Sequence, residues 1–501
     1  MTRQNTRLLG RRQLVCFLCL LLSLVLFASG CAIAPEETIP ETTAPTVPVE
    51  TDPPIPANIL RSDAVTFTHG QRGKWAEDAA NWPVFGSELL RKQIGSVTFL
   101  DTLSSVPETA WDVSAGEDGS VLAWTEANES LYDLFIASEG GMDSTDNCNT
   151  LFAGYINASQ ICFNGCFRTG TATDFSDIFL GCRKLQQVDI KTLDTSAALD
   201  LSGLFYGCES IQALDLSGMN AASAVDLSRI FYGCTKLNTL DLSGFQTGAV
   251  QNLSKLFYGC QVLTALDVSS LTTDAATDFS SMFYKCYSLE NLDLSTFNTS
   301  SATDMSNMFY SCFELRQLNV SSFDTSAVTT MAGMFQGCYA LTQLDLSSFD
   351  TSAVTTMNNM FNSCKVLTTL DVSHFNTAAV TDLSNMFQEC NSLIVLDLSN
   401  LNTSSVTTMA DMFSDCNDLQ QLNISNFDTS SVTDMARMFS NCSQLTVIDL
   451  SSFNTSHVTD MSAMFRHCTK LELLDLRHFD CSSVQKWDYI FSLCPATVIW
   501  E

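Results

Sequence analysis

Thirteen cysteines recur every 26 residues, from Cys182, Cys208 and Cys234 through Cys468 to Cys494, without an insertion or a deletion. A phenylalanine stands three residues before each of them, from Phe179 to Phe491. Few folds tolerate a spacing this strict over so much of a chain. A repeat of roughly 20–50 residues marks a solenoid, in which each unit buries its apolar face only against its neighbours. Stacked units build a long surface rather than an enclosed pocket. The repeat therefore favours binding over catalysis.

One copy, residues 339–364, shows the internal pattern. Leu341, Leu344 and Leu346 lead, and Leu344-Asp345-Leu346 alternates as a short half-buried strand does. Phe349 follows, then Asp350-Thr351-Ser352 as a turn, then Val354. Met357, Met360, Phe361 and Cys364 stand at i, i+3, i+4 and i+7, the spacing of one helix face. Thr or Asp just before this segment, as in Thr433-Asp434 and Thr459-Asp460, supplies an N-cap oxygen. The expected fold is an α/β solenoid, leucine-rich-repeat-like, with about 13 coils of strand, turn and short helix.

A β-rich N-terminal cap is expected over residues 58–156, where the repeat is absent. Val97 to Leu100 reads as a strand. Trp111 and Trp124 lie in two runs that flank Gly116-Glu117-Asp118-Gly119, a hairpin signal. Leu131 to Ile136 reads as another strand, closed by Gly140-Gly141. Beyond it, residues 157–501 form the array. Val498-Ile499-Trp500 reads as a last strand, with Trp500 set to cover the open core.

The N-terminus, residues 1–30, reads as an export signal: basic residues to Arg12, an apolar run from Leu14 to Phe27, then Ala28-Ser29-Gly30. The run is short for a membrane span. Ala28-Ser29-Gly30-Cys31 resembles a bacterial lipobox, with Ala28 where Leu is usual. That resemblance implies cleavage before Cys31 and lipidation of its thiol. The alternative is an ordinary cleaved signal and a released product. Arg11-Arg12 hints at twin-arginine export, although the rest of that motif is absent. Residues 31–57 then form a tether: seven of the ten prolines fall between Pro35 and Pro56. That composition favours extended structure and cannot build a core.

Charge narrows the partners. The chain carries 24 Lys and Arg against 55 Asp and Glu, a net charge of −31. Such a surface repels nucleic-acid phosphates and anionic lipid headgroups and suits cationic partners. Five scattered histidines and the absence of a GxSxG, HExxH, Walker or dinucleotide motif argue against an enzyme.

Leu341-x-x-Leu344-x-Leu346 resembles a leucine-rich repeat. The fuller string Leu-Asp-Leu-Ser-Ser-Phe-Asp-Thr-Ser-Ala-Val-Thr-Thr-Met, followed by Met-Phe-x-x-Cys, resembles the BspA-like 26-residue repeat of bacterial surface proteins. Leu131-Tyr132-Asp133-Leu134-Phe135-Ile136 and Leu151-Phe152-Ala153-Gly154-Tyr155 also look like that family. The resemblance implies a cell-surface protein of adhesive or interaction type. The Asn/Cys column of ordinary leucine-rich repeats is Phe or Leu here (Phe323, Phe349, Phe375), so their curvature does not transfer.

Two ladders invite a chemical reading. The cysteine column lies on the apolar face and reads as buried thiols; some disulfides and a metal site are the other readings. Cys162 and Cys166 have CxxxC spacing and read as core filler. Cys148 and Cys481 stand outside the main column. The second ladder is acidic, one residue per coil in the strand column: Asp189, then Asp215, Asp241, Asp267, Asp293, Asn319, Asp345, Asp371, Asp397, Asn423, Asp449 and Asp475. Like charges set about 5 Å apart are unfavourable and need compensation. Solvation plus hydrogen bonds from the Ser column (Ser217 through Ser451) is one reading. A stripe that binds a protein or Ca²⁺ is the other. Lys191, His374, Arg477 and His478 interrupt otherwise monotonous columns, as epitope markers or as drift. Beside the ladder stand Gln317, Gln343, Thr369 and Gln421, polar and without aromatic platforms for a sugar. The function expected is a lipid-anchored, extracellular solenoid that binds proteins or mediates adhesion, with no cofactor. A passive surface spacer and a carbohydrate-binding lipoprotein are the alternatives.

Overall fold

The structure, a computed structural model, describes residues 58–62 and 72–500. The export signal, Cys31 and most of the tether lie outside the described residues. Among these residues the one α-helix is α1 (Arg72–Ala79), ahead of the array, and no helix is long and apolar enough to cross a membrane.

Eight strands come first: β1 (Ile94–Leu100), β2 (Trp111–Asp112), β3 (Leu122–Asn128), β4 (Leu131–Ala137), β5 (Met142–Asp143), β6 (Gln160–Cys162), β7 (Phe167–Arg168) and β8 (Gln187–Val188). Six of them make one sheet in the order β2-β3-β4-β1-β6-β8. The pairs β2-β3 and β3-β4 are antiparallel, as the Gly116–Gly119 hairpin predicts. The pairs β4-β1, β1-β6 and β6-β8 are parallel. The sheet of the N-terminal region thus runs without a break into the first coils. Arg91 secures this junction from the other side. Its buried guanidinium donates to the carbonyls of Thr150 at 2.9 Å and Ala153 at 2.7 Å, and it faces the rings of Trp82 and Tyr155.

From there the coils stack in register. The strand column pairs in parallel with a shift of one repeat: Ala213 with Thr239, Asn291 with Gln317, Val395 with Gln421. A second parallel ladder of single bridges runs Asp174, Asp200, Asp226, Asn252 and on to Asp460 and Lys486. The last strand, Thr497–Ile499, pairs with Leu473–Asp475.

The segment expected to be helical is a row of turns. In the coil of Phe361, the N–H groups of Asn359, Phe361 and Ser363 donate forward to the next coil, to the carbonyls of Ser384, Met386 and Gln388. Met360, Asn362 and Cys364 donate back three residues within the coil. Two residues per coil sit in the left-handed region: Asn359 at φ 59° and Ser363 at φ 61°, Gly203 at φ 65° and Gly207 at φ 71°. Past its first turn a helix would spend these N–H groups internally, and an isolated helix this short is marginal. The turn form frees alternate donors for the neighbour. It still buries Met357, Met360, Phe361 and Cys364, which is why their spacing imitates a helix face.

One core runs the length of the array. The Phe column stacks from Phe179 to Phe491 with ring centroids 5.3–6.2 Å apart. The threonine hydroxyls of one column inside it are paired along the axis. Buried Thr325 donates its hydroxyl to the Asp350 carbonyl at 2.7 Å, and Thr299, Thr351, Thr377, Thr403 and Thr429 repeat the bond at 2.8–3.0 Å.

The left-handed positions carry a test. Gly259 has φ +75°, and an added Cβ would meet nothing closer than the Gly233 Cα at 3.6 Å. Gly259→Ala therefore isolates the backbone cost, about 1–2 kcal/mol. Chemical denaturation should show that loss; unchanged stability would contradict the turn geometry.

Candidate binding surface

The acidic column lies on the strand face. Asp215, Asp241, Asp267, Asp293, Asn319, Asp345, Asp371, Asp397, Asn423 and Asp449 are exposed, and Asp475 is half-exposed. Each side chain is also held locally. Its Oδ1 accepts the backbone N–H two residues on: Ser217 to Asp215 at 3.1 Å, Ser347 to Asp345 at 3.0 Å, Ser451 to Asp449 at 3.0 Å. This is an Asx turn, and it closes the corner after each strand. The same Asp-x-Ser arrangement closes two further corners of the coil, as in Asp324 with Ser326 and Asp304 with Ser306.

These bonds explain how like charges coexist in a column. Donation from Ser347 and Ser373 lowers the Asp345 and Asp371 carboxyls below the ordinary range. A side-chain bond from Lys191, then Ser217, holds Asp215 at about 2, and Arg477 holds Asp475 at about 2. Where an amide interrupts the acids it donates: Asn319 Nδ2 bonds Asp293 Oδ1 at 2.9 Å. Asp200, on the bridge ladder, goes the other way. Burial raises its pKa, and Asp226 and Asp174 add to the rise.

The side chains that break the columns are engaged too. Lys191 pairs with Asp215, Arg477 grips Asp475, and His374 Nε2 lies 2.9 Å from the Leu346 carbonyl. The strand row beside the ladder is polar at Gln317, Gln343, Thr369 and Gln421, all exposed. In the later coils apolar side chains join it on either side of Gln421: Val395 is 51 % exposed, Val447 66 % and Leu473 46 %. Among the described residues no group of three His, Cys, Asp or Glu side chains is placed to hold a metal ion.

The cysteine column is chemically quiet but structurally specific. The described cysteines are free thiols. From Cys182 to Cys468 each donates to a phenylalanine carbonyl of the preceding coil, at 3.1–3.5 Å. Burial pushes Cys234, Cys286 and Cys338 up to about 12, so each stays protonated and able to donate. A thiolate is the reactive form, so these thiols are poor nucleophiles.

One surface feature is absent from the sequence reading. Tyr206, Tyr232, Tyr258, Tyr284 and Tyr310 stack at 4.3–4.4 Å between centroids, half-buried on the turn side. Tyr287, Phe313 and Tyr339 stack beside them at 4.6–4.7 Å, and Lys365 lies over Tyr339. Their signal was present as a 26-residue Tyr spacing. Each ring covers its neighbour's face, so only edges remain for solvent. A sugar needs an open ring face, and this stack does not offer a row of them.

The acid-side behaviour follows from the carboxyls. Asp215 and Asp475 have folded values of about 2 against an ordinary 3.8. Their contribution is full above the ordinary value and is lost as pH falls through the folded one. Asp200 has the opposite sign. Stability should therefore fall between pH of about 4 and about 2, and Asp215→Asn with Asp475→Asn should flatten that fall. Acid titration followed by circular dichroism checks it; an unchanged slope in the double variant would contradict it.

The sequence model of a family described as "Mycoplasma protein of unknown function, DUF285" matches six overlapping stretches: residues 146–264, 171–291, 225–320, 277–395, 313–421 and 382–497. No curated protein matches. Among solved structures, a crystal structure of a TLR13–ssRNA13 complex is similar at 16 % identity, over 69 % of this chain and 61 % of that one, with a TM-score of 0.19. This chain thus spans less than two thirds of that protein, and so loose a likeness carries no argument. The repeat architecture rests on the family match and on the stacked coils: the chain belongs to the DUF285 repeat family.

Proposed function

We propose that this solenoid is a protein-interaction module of the cell surface, held by a lipid on Cys31 and set off from the membrane by the tether of residues 31–57. The observation that supports it most is the strand face. It repeats coil by coil, with strands paired in twos among the described residues, and carries a regular carboxylate column beside a row in which exposed Val395, Val447 and Leu473 stand among polar residues such as Gln421. The partner that suits it is a basic protein with apolar side chains among its charges, met through many modest contacts. The BspA-like resemblance agrees with an adhesive role.

A passive spacer would show no saturable ligand. The test is an array of extracellular proteins and glycans probed with the full chain. The expected result is a saturable protein ligand whose binding weakens with salt and falls about tenfold or more in a Val395→Ser, Val447→Ser, Leu473→Ser variant. Salt-independent binding, or glycan ligands alone, would contradict it.

A further inference from the structure

The turn side sets two cations together where the same column elsewhere sets a cation against an acid. Arg229 and Lys255 fill the first left-handed position of successive coils, at φ 62° and 59°, and both are half-buried. The Arg229 N–H donates to the Ser254 carbonyl at 3.1 Å, which places the two residues side by side. Asp411 and Arg437 show how far side chains of this column reach. They also stand one coil apart, at φ 57° and 55°, joined by the equivalent bond from the Asp411 N–H to the Ala436 carbonyl. There the guanidinium grips the carboxylate through two bonds of 2.7 Å. At Arg229 and Lys255 a second cation stands in place of the acid, and the flanking coils put Gly203 and Ser281 in the column. The Arg229 guanidinium donates to the Ser228 hydroxyl at 3.0 Å, and among the described residues neither cation is in an ion pair. Asp278 and Asp304 attract the Lys255 ammonium only from beyond ion-pair distance. Burial, then Arg229, holds the Lys255 pKa below its ordinary value, so that attraction does not offset the crowding.

We propose that Arg229 and Lys255 together bind one small phosphate monoester. The chemistry selects the ligand. Two cations one coil apart suit a dianion with several acceptor oxygens, and a phosphate monoester carries about −1.5 to −2 at neutral pH. Arginine offers a fork of donors to such oxygens, and lysine adds a point charge. In the Asp411–Arg437 pair a single carboxylate answers a single guanidinium, so a second cation calls for a second negative charge. The net charge of −31 repels a polyanion that extends past the pair, which limits the ligand to one phosphate on a small molecule. This site lies on the turn side, apart from the carboxylate column, and stands independently of the strand-face reading.

The experiment titrates the full chain with methyl phosphate by calorimetry at low ionic strength, beside methyl sulfate, which carries one charge, and inorganic phosphate. Arg229→Asn and Lys255→Asn are the test variants, because Asn307, Asn359 and Asn385 already fill this left-handed column. Lys236→Asn, at an exposed position nearby in sequence, removes the same charge and is the control. Circular dichroism confirms that each is folded. The expected result is saturable binding of methyl phosphate, weakened about tenfold or more by either test substitution and unmoved by the control. No saturable binding, binding that survives both test substitutions, or an equal loss in Lys236→Asn would overturn the proposal. Equal affinity for methyl sulfate would overturn the dianion, and tighter binding of inorganic phosphate would overturn the monoester.

Discussion

The array depends on backbone N–H groups that leave their own coil. Every described coil before the last sends alternate donors of its turn segment to the next one, and it keeps only the intervening donors for itself. This bond pattern needs a left-handed residue at two places per coil, which explains why Gly, Asn, Asp and Ser fill so many of them. It favours coils of equal length, because the 26-residue count keeps each donor level with its acceptor; at the two ends the offset changes and the bonds persist, as from Phe152 to Ile178 and between Leu473 and Thr497. The Phe stack, the Thr hydroxyl bonds and the thiol bonds all run along the same axis and share that register.

Much of this was legible in the sequence. The period gave the stacking, and Asp350-Thr351-Ser352 marked a turn; Leu344-Asp345-Leu346 marked the column in which neighbouring coils pair, as at Asn291–Asp293 with Gln317–Asn319, although its own copy forms no strand there. The head hairpin and the final strand were also visible. The turn row was not, because Met357, Met360, Phe361 and Cys364 are buried by either geometry and their spacing does not distinguish them. The capping oxygens were read correctly as oxygens that accept a nearby N–H. They were assigned to helix starts, whereas Asp434 and Asp460 start turns.

The candidate site divides in the same way. Sequence alone brought the acidic residues into one column, and the structure keeps them on one exposed face. Their local role was hidden, since a carboxylate that closes an Asx turn and one that awaits a ligand look alike in a sequence. The thiols carry a related lesson. Read as buried thiols, those of the column prove also to be donors to the phenylalanine carbonyls, and burial keeps the proton that makes this possible. Local duty does not remove the column from the surface. Asp215 and Asp475 aside, whose second oxygens Lys191 and Arg477 hold, its outward oxygens and net charge are what the proposed cationic partner would meet.

The most direct measurement is residue-resolved amide hydrogen exchange over the last two coils. If longitudinal donation holds the turns, the amides of Met461, Ala463, Phe465 and His467 are protected. Those of Trp487, Tyr489, Phe491 and Leu493 exchange at nearly unfolded rates, because no backbone acceptor among the described residues meets them. Short helices would satisfy their own amides, so comparable protection of Phe491 and Leu493 would contradict the account.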